Sequence, residues 1–284
     1  MSSGRIVLHS PAKLNLFLHI VGRRPDGYHL LQTVFQLIDY GDTLSFSLRQ
    51  DDAVHLTDNT PSIPSSDNLI IKAAMMLRAL HRHLPGVDIH LDKCIPMGAG
   101  MGGGSSNAAT TLLALNHLWG LGLSQSELMR LGLALGADVP VFVAGHSAFG
   151  EGIGEILTPI DLPTVWYAIV KPPVHAETAS LFKSPALKRD TASLTLAQYQ
   201  AGAATHNDFL PVLLSLYPSL QETVTLMSHF GEPKLTGTGS AFFIACESRE
   251  KAEKCIGQMN KQVVGFVAQG VNESPVHKAL QSVR

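Results

Sequence analysis

Residues 96–109 read Pro96-Met-Gly-Ala-Gly-Met-Gly-Gly-Gly-Ser-Ser-Asn-Ala-Ala109, with five glycines between Gly98 and Gly104. Glycine this dense loses more conformational entropy on folding than packing can return, so it marks a backbone that takes positive φ or closes on a ligand. Ser105 and Ser106 follow as residue types that cap helices, and the alanines after them favour helix. The stretch predicts a loop feeding a helix N-terminus. Unpaired N–H groups and about half a positive charge at such an end suit phosphate oxygens.

Upstream, Val87, Ile89 and Leu91 alternate with Asp88, His90 and Asp92, the period of a strand with one wet face. That alternation decides between two readings of the loop. Gly98-x-Gly100-x-x-Gly103 fits the dinucleotide-binding pattern, but the strand before that pattern is buried on both faces and continuously apolar. Its acidic partner about 20 residues on is also missing, since Leu123 stands there. No Gly-Lys-Ser or Gly-Lys-Thr closes the loop, which excludes a P-loop. Downstream, Ala108, Leu112, Leu115 and Trp119 share a helix face that Gly120 ends. Ser124 and Glu127 form a capping box for a helix stopping near Gly136.

Further out, Leu14 to Ile20, Leu31 to Ile38 and Tyr40 to Leu48 read as strands, with a turn at Pro25-Asp26-Gly27 and a loop over Asp58 to Asp67. A helix begins after Asn68 and stops by Pro85-Gly86, with Met75, Met76 and Leu80 on its core face. The second half predicts strands at Trp166–Val170, Ser240–Ala245 and Val263–Val267. Helices are expected between His206 and His229 and over Arg249–Asn260. Strands precede helices in each half without strict alternation, so the fold class is α+β. A proline-flanked turn near Asp161 divides the chain into 1–161 and 162–284, in line with about 150 residues per domain.

The 284 residues carry 21 Lys and Arg against 23 Asp and Glu, a formal charge of −2, which leaves no basic footprint for a nucleic-acid partner. Three cysteines without a C-x-x-C pair suit a reducing compartment. No leader and no apolar run of 18 residues is present, so a cytoplasmic protein without a membrane partner is expected. Nothing marks an obligate interface, and a monomer or weak homodimer is the expectation. The histidines form no zinc motif, and no protein-held metal is expected. Cys94, just before the loop, reads as a small buried side chain.

Three other stretches agree with the glycine loop in order and spacing. They are Ser10-Pro-Ala-Lys-Leu-Asn-Leu16 with Arg24-Pro-Asp-Gly-Tyr-His29, Gly136-Ala-Asp-Val-Pro140, and Leu235-Thr-Gly-Thr-Gly-Ser240. With Gly270-Val-Asn-Glu-Ser-Pro-Val-His277 they cover nearly the whole chain, and together they resemble the GHMP kinases, among them galactokinases, homoserine kinases and mevalonate kinases. The resemblance implies a two-domain α+β fold with mixed and antiparallel sheets, an active site in the cleft between domains, and ATP as phosphoryl donor with Mg²⁺ carried by the nucleotide. The triple glycine followed by Ser-Ser-Asn-Ala-Ala is nearest the branch that phosphorylates the 2-hydroxyl of a diphosphocytidyl-methylerythritol, on the non-mevalonate route to isoprenoids.

Site residues follow from the residues and the resemblance together. Lys13 and Asn15 lie two apart on a strand and so share a face. Spacing alone would allow a solvated lysine, whereas the resemblance implies the catalytic one. Asp138 before Val139-Pro140 is a natural N-cap, and the resemblance implies a general base. The resemblance places the nucleotide along Pro96, Met97, Gly98, Ala99, Gly100, Met101, Gly102, Gly103, Gly104, Ser105 and Ser106, with Asn68 and Leu69 at the nucleobase. It brings the glycine turn Thr236 to Ser240 beside that loop. Tyr28 and His29 are implied to read a cytosine by stacking and edge hydrogen bonds, with Asn15, Thr178 and Phe182 also on the acceptor. Glu177 departs from the small residue or proline usual before that threonine.

Overall fold

β1 (Arg5–Arg23) and β2 (His29–Leu48) form a long antiparallel hairpin around Pro25-Asp26-Gly27, where Gly27 has φ +94°. The computed structural model describes residues 5–59, 64, 67–81 and 83–282. Following the hairpin are β3 (Val54–Asp58), α1 (Leu69–Leu80), β4 (Val87–Asp92), α2 (Gly103–Leu118), α3 (Gln125–Leu135), α4 (Val139–Ala144), β5 (Ala148–Glu151) and β6 (Ile156–Pro159). The later part holds β7 (Trp166–Lys171), α5 (Thr178–Lys183), α6 (Leu196–Gln200), α7 (Phe209–Leu216), α8 (Leu220–Ser228), β8 (Lys234–Leu235), β9 (Phe242–Cys246), α9 (Arg249–Gly257), β10 (Val264–Val271) and α10 (Pro275–Ser282).

The main sheet runs β3-β4-β2-β10-β7-β9-β8, with β1 and β5 also paired to β2. Only β3 and β4 run parallel among the described strands, so the sheet is mixed and the class is α+β. β10 joins the halves by pairing with β7 along its length and with β2 at Gly270 and Val271. One core gathers α1 to α4 against β2 and β4, and a second gathers α7 to α9 against β7 and β9. A third, with Leu14, Ile38, Ile169 and Phe243, sits between them and takes in Ala99 and Met101 of the glycine loop.

Several expectations change. The two strands read over 31–48 are one continuous β2, and an unpredicted strand, β3, leads into the predicted 58–67 loop and shares only Asp58 with it; most of that loop lies outside the described residues. The middle of β1 is buried on both faces, not one, because its polar side chains meet the rest of the protein and not water. Met75 and Leu80 are exposed, since α1 buries only the face carrying Ile70, Ala73, Ala74 and Leu77. Cys94 is exposed as well. The last helix, α10, inserts Val276 into the core of the first half, so the C-terminal residues close back on the N-terminal part.

Entry into the glycine loop is set by one buried carboxylate. Asp42 on β2 is fully buried and accepts 2.7 Å hydrogen bonds from the Cys94 and Ile95 backbone N–H groups. Its other oxygen takes Lys93 Nζ at 2.7 Å, and the same ammonium donates to Ile95 O. Asp42→Ala would strand a nearly buried ammonium and two amides, and should lower unfolding stability in urea by about 3–5 kcal/mol. A loss below about 1 kcal/mol, the range of an exposed ion pair, would show that this carboxylate does not hold the loop.

Candidate active site

The glycine loop alternates between core and cleft. Ala99 and Met101 bury their side chains between the two halves, and the intervening Gly98, Gly100 and Gly102 adopt φ of +63°, +73° and +71°. Two of these positions exclude any side chain. A Cβ on Gly100 would lie 2.3 Å from Thr236 O, and one on Gly102 would lie 2.9 Å from the Phe142 ring. The turn at Thr236–Ser240 is bound to the loop by Ser240 N to Gly98 O (3.2 Å) and by Thr236 Oγ1 to Gly100 O (3.2 Å).

The loop ends in α2, whose N-cap is Gly102 and carries no side-chain cap. Ser105 and Ser106 therefore lie inside the first turn and do not cap it. Ser106 is fully buried, its hydroxyl donating to Pro11 O at 2.5 Å and meeting Ser10 Oγ at 2.8 Å. It ties α2 to β1 and offers no surface to a nucleotide, which corrects its expected place there. The N–H groups of Gly103, Gly104 and Ser105 have no partner among the described residues, which leaves a helix end of the kind that suits anions.

Lys13 stands at a register shift of β1, where its backbone N–H leaves the sheet and donates to Met101 O at 3.1 Å. Bulges of this kind re-aim side chains beside active sites. The residue is 2% exposed, so the solvated reading fails. Its ammonium donates to Asn15 Oδ1 and to Gly100 O (3.0 Å), pairs with Asp138 Oδ2 at 3.3 Å, and lies 5.6 Å from the centre of the Phe35 ring. Asn15 is held in turn by Thr33 Oγ1 and, through its backbone N–H, by Thr236 Oγ1.

Asp138 occupies the N-cap position of α4 but makes no capping hydrogen bond. The helix is only six residues long and has proline in its first turn, which removes one N–H that a cap would serve. The carboxylate is left to Lys13 and the cleft, with its side chain 34% exposed.

Three cavities meet here. One of 310 Å³ is walled by Asn68, Leu69 and Pro96 to Gly104. Asn68 also caps α1, its side chain accepting from Ile70 N at 2.9 Å. A second of 460 Å³ shares Gly98, Gly100 and Gly102 with the first and holds Lys13, Asn15, Ser105, Asp138 and Thr178. Thr178 contacts Thr238 Oγ1 at 2.9 Å, and Glu177, which lines the same cavity, accepts from Ser180 Oγ. The third, of 880 Å³, shares Phe182, Leu31, Ala137 and Ile153 with the second and is lined by Tyr28, His29 and Arg189. His29 and Phe182 face each other with ring centroids 4.9 Å apart. Burial, then Arg189 and Arg23, push the His29 imidazole below the usual histidine range, favouring its neutral form.

Sequence reasoning missed Lys93, which lines the first cavity, His175, which leans over Gly98, and Arg189. None sits in a patterned stretch, and each arrives from a loop whose course only the fold defines.

The description "GHMP kinases N terminal domain" matches residues 68–146, and "GHMP kinases C terminal" matches residues 186–265. The chain belongs to the GHMP kinases. Among relatives of this GHMP kinase is the 4-diphosphocytidyl-2-C-methyl-D-erythritol kinase of Pseudomonas syringae pv. syringae (strain B728a), 50% identical over 99% of both chains. A crystal structure of 4-(cytidine 5'-diphospho)-2C-methyl-D-erythritol kinase is 30% identical with a TM-score of 0.81, covering 93% of this chain and 99% of that one. Homoserine kinase from Cytophaga hutchinsonii, 16% identical with a TM-score of 0.71 over 97% of both chains, shares the fold.

Gly100→Ala tests the loop of this kinase. Its φ of +73° and the 2.3 Å approach to Thr236 O force the loop and the 236–240 turn apart, at about 1–3 kcal/mol of strain. Calorimetric titration with a non-hydrolysable ATP analogue should show affinity at least about tenfold weaker, the equivalent of about 1.4 kcal/mol. Unchanged affinity would detach this loop from the nucleotide.

Proposed function

We propose that this GHMP kinase transfers the γ-phosphoryl group of ATP to the 2-hydroxyl of 4-diphosphocytidyl-2-C-methyl-D-erythritol. The observation that carries the reading is the run of three connected cavities: a glycine-loop cavity, a Lys13–Asp138 cleft, and an aromatic cavity ending at Tyr28, His29 and Phe182. That order matches a triphosphate, a reacting alcohol and a flat base at the far end of the acceptor. Relatives of about half-identical sequence bearing this kinase's name support it. Homoserine and mevalonate, the acceptors of the rival reading, have no base and would leave the 880 Å³ aromatic cavity without a purpose.

In this reading the nucleotide base lies against Asn68 and Leu69, and the phosphates rest on the free N–H groups at the start of α2. Phosphoryl transfer asks the protein mainly for alignment and charge stabilisation. Asp138 accepts or orients the proton of the acceptor hydroxyl, and Lys13 offsets negative charge as that oxygen attacks the γ-phosphorus. Ser105 and Asp138 supply hard oxygen donors in the cleft that suit a nucleotide-borne Mg²⁺, which when bound offsets phosphate charge. ATP-dependent chemistry and three free thiols fit a cytoplasmic enzyme.

ADP release with Mg-ATP across diphosphocytidyl-methylerythritol, methylerythritol phosphate, homoserine, mevalonate and galactose tests the assignment. Turnover confined to the first acceptor is expected, and turnover on another alcohol instead would overturn the acceptor site. Asp138→Asn should lower kcat by about 10² to 10⁴, the span of a general base, with little change in KM for ATP. A loss under about tenfold in a folded variant would reduce Asp138 to a structural partner of Lys13.

A further inference from the structure

Arg189, which follows α5, is committed almost entirely to the protein. Its Nη2 donates to Phe182 O at 2.9 Å and Ser184 O at 2.8 Å, its Nη1 to Leu187 O at 2.9 Å, and its Nε to His29 Nε2 at 3.1 Å. Four of the five guanidinium N–H groups thus end on protein acceptors. Arginine cannot give up its proton, so His29 Nε2 must be the accepting nitrogen. A neutral imidazole that accepts at Nε2 carries its proton on Nδ1. Nδ1 has no hydrogen-bond partner among the described residues.

We propose that Arg189 is a specificity-positioning residue, which joins the two aromatic walls of the acceptor cavity and locks His29 as the Nδ1–H tautomer, a donor of one hydrogen bond to the base. Resting on the function proposed above, this adds the means by which the base is read. Cytosine presents a ring-nitrogen acceptor where uracil presents an N–H, so a fixed donor favours the first and opposes the second. The charged groups around His29 agree with a neutral ring. Arg23 pairs with it across the hairpin, Arg189 donates to its ring, and Lys183 lines the same cavity. Asp26, the carboxylate there, is taken by Arg24 at 2.7 Å. Burial and the charges of Arg189 and Arg23 oppose a positive charge on the ring.

The test begins without substrate. Nitrogen-15 NMR of the histidine rings, with His29 assigned by its loss in His29→Asn, should show the wild-type proton on Nδ1. Arg189→Met should shift the proton towards Nε2 and raise the pH at which His29 titrates. The same variant should raise KM for the diphosphocytidyl acceptor about tenfold, the scale of one hydrogen bond, while KM for ATP holds. Preference for the cytidyl over the uridyl acceptor should shrink by a similar factor. Arg189→Lys, which keeps the charge but loses the fork, should also lose the preference, and it covers the case in which the methionine variant fails to fold. A wild-type proton on Nε2, or an unchanged acceptor KM and base preference in both variants, would overturn the proposal. Absence of wild-type turnover on the cytidyl acceptor would instead defeat the proposed function, and the tautomer measurement, which needs no acceptor, would still decide the role of Arg189.

Discussion

An ammonium group held out of water has to be met on every side, and Lys13 is where that requirement organises the protein. The residue is 2% exposed, and an isolated buried cation would cost far more than a folded domain can spare. Its partners come from four places: Asn15 on its own strand, Gly100 O from the glycine loop, Asp138 at the start of α4, and the Phe35 ring on β2. Each is itself fixed. Gly100 O also accepts from Thr236 Oγ1, and Thr236 Oγ1 accepts from Asn15 N–H, so the turn of the second half closes the same network. Moving any one element would cost the ammonium one of its partners. The network favours one arrangement for the reason that makes buried polar networks specific: satisfied they hold one arrangement, and half-satisfied they are worse than none.

Much of this was legible in the chain. The alternation at 87–92 is reproduced residue by residue in the burial of β4, because an edge-side strand with one wet face sorts its side chains by a simple rule. The capping box of Ser124 and Glu127 forms as its spacing implies. β1 was harder. Its polar residues Lys13, Asn15 and His19 follow the same period of two, yet all are buried. Period-two alternation separates faces but does not say whether the polar face meets water or a second layer of protein. In β1 the second layer is the site. The short strands β5 and β6 and the helix α10 carry too few residues for periodicity to register, and their places are set by partners distant in sequence.

Asp138 shows how a local rule and a site can disagree. Its position before a proline-led helix is that of a cap, yet the cap bond is absent. A six-residue helix gains little from capping, whereas the buried ammonium 3.3 Å away has a strong claim on the carboxylate. Places where a sequence-level preference goes unmet are where function is expected. Ser105 and Ser106 divide in the same way: adjacent in sequence, they lie about 100° apart around α2. One lines the cleft and the other is sealed against Pro11 and Ser10.

The acceptor cavity and the reacting cleft are coupled through a single step of backbone. Ala137 lines both, and Asp138 follows it. In the proposed function, an acceptor gripped at its far end between Tyr28, His29 and Phe182 has its near end placed against the carboxylate by covalent geometry, through a wall that includes the residue next to it. Binding energy realised on a remote, unreactive group becomes useful to catalysis only when it fixes the reacting atoms. Here the remote grip rests on Arg189, which ties His29 to the carbonyls around Phe182, and the reacting end rests on Lys13. In that proposal the two cationic side chains serve different ends of one bound molecule. Arg189 needs no free donor because its task is geometry, and Lys13 needs a carboxylate beside it because its task is charge.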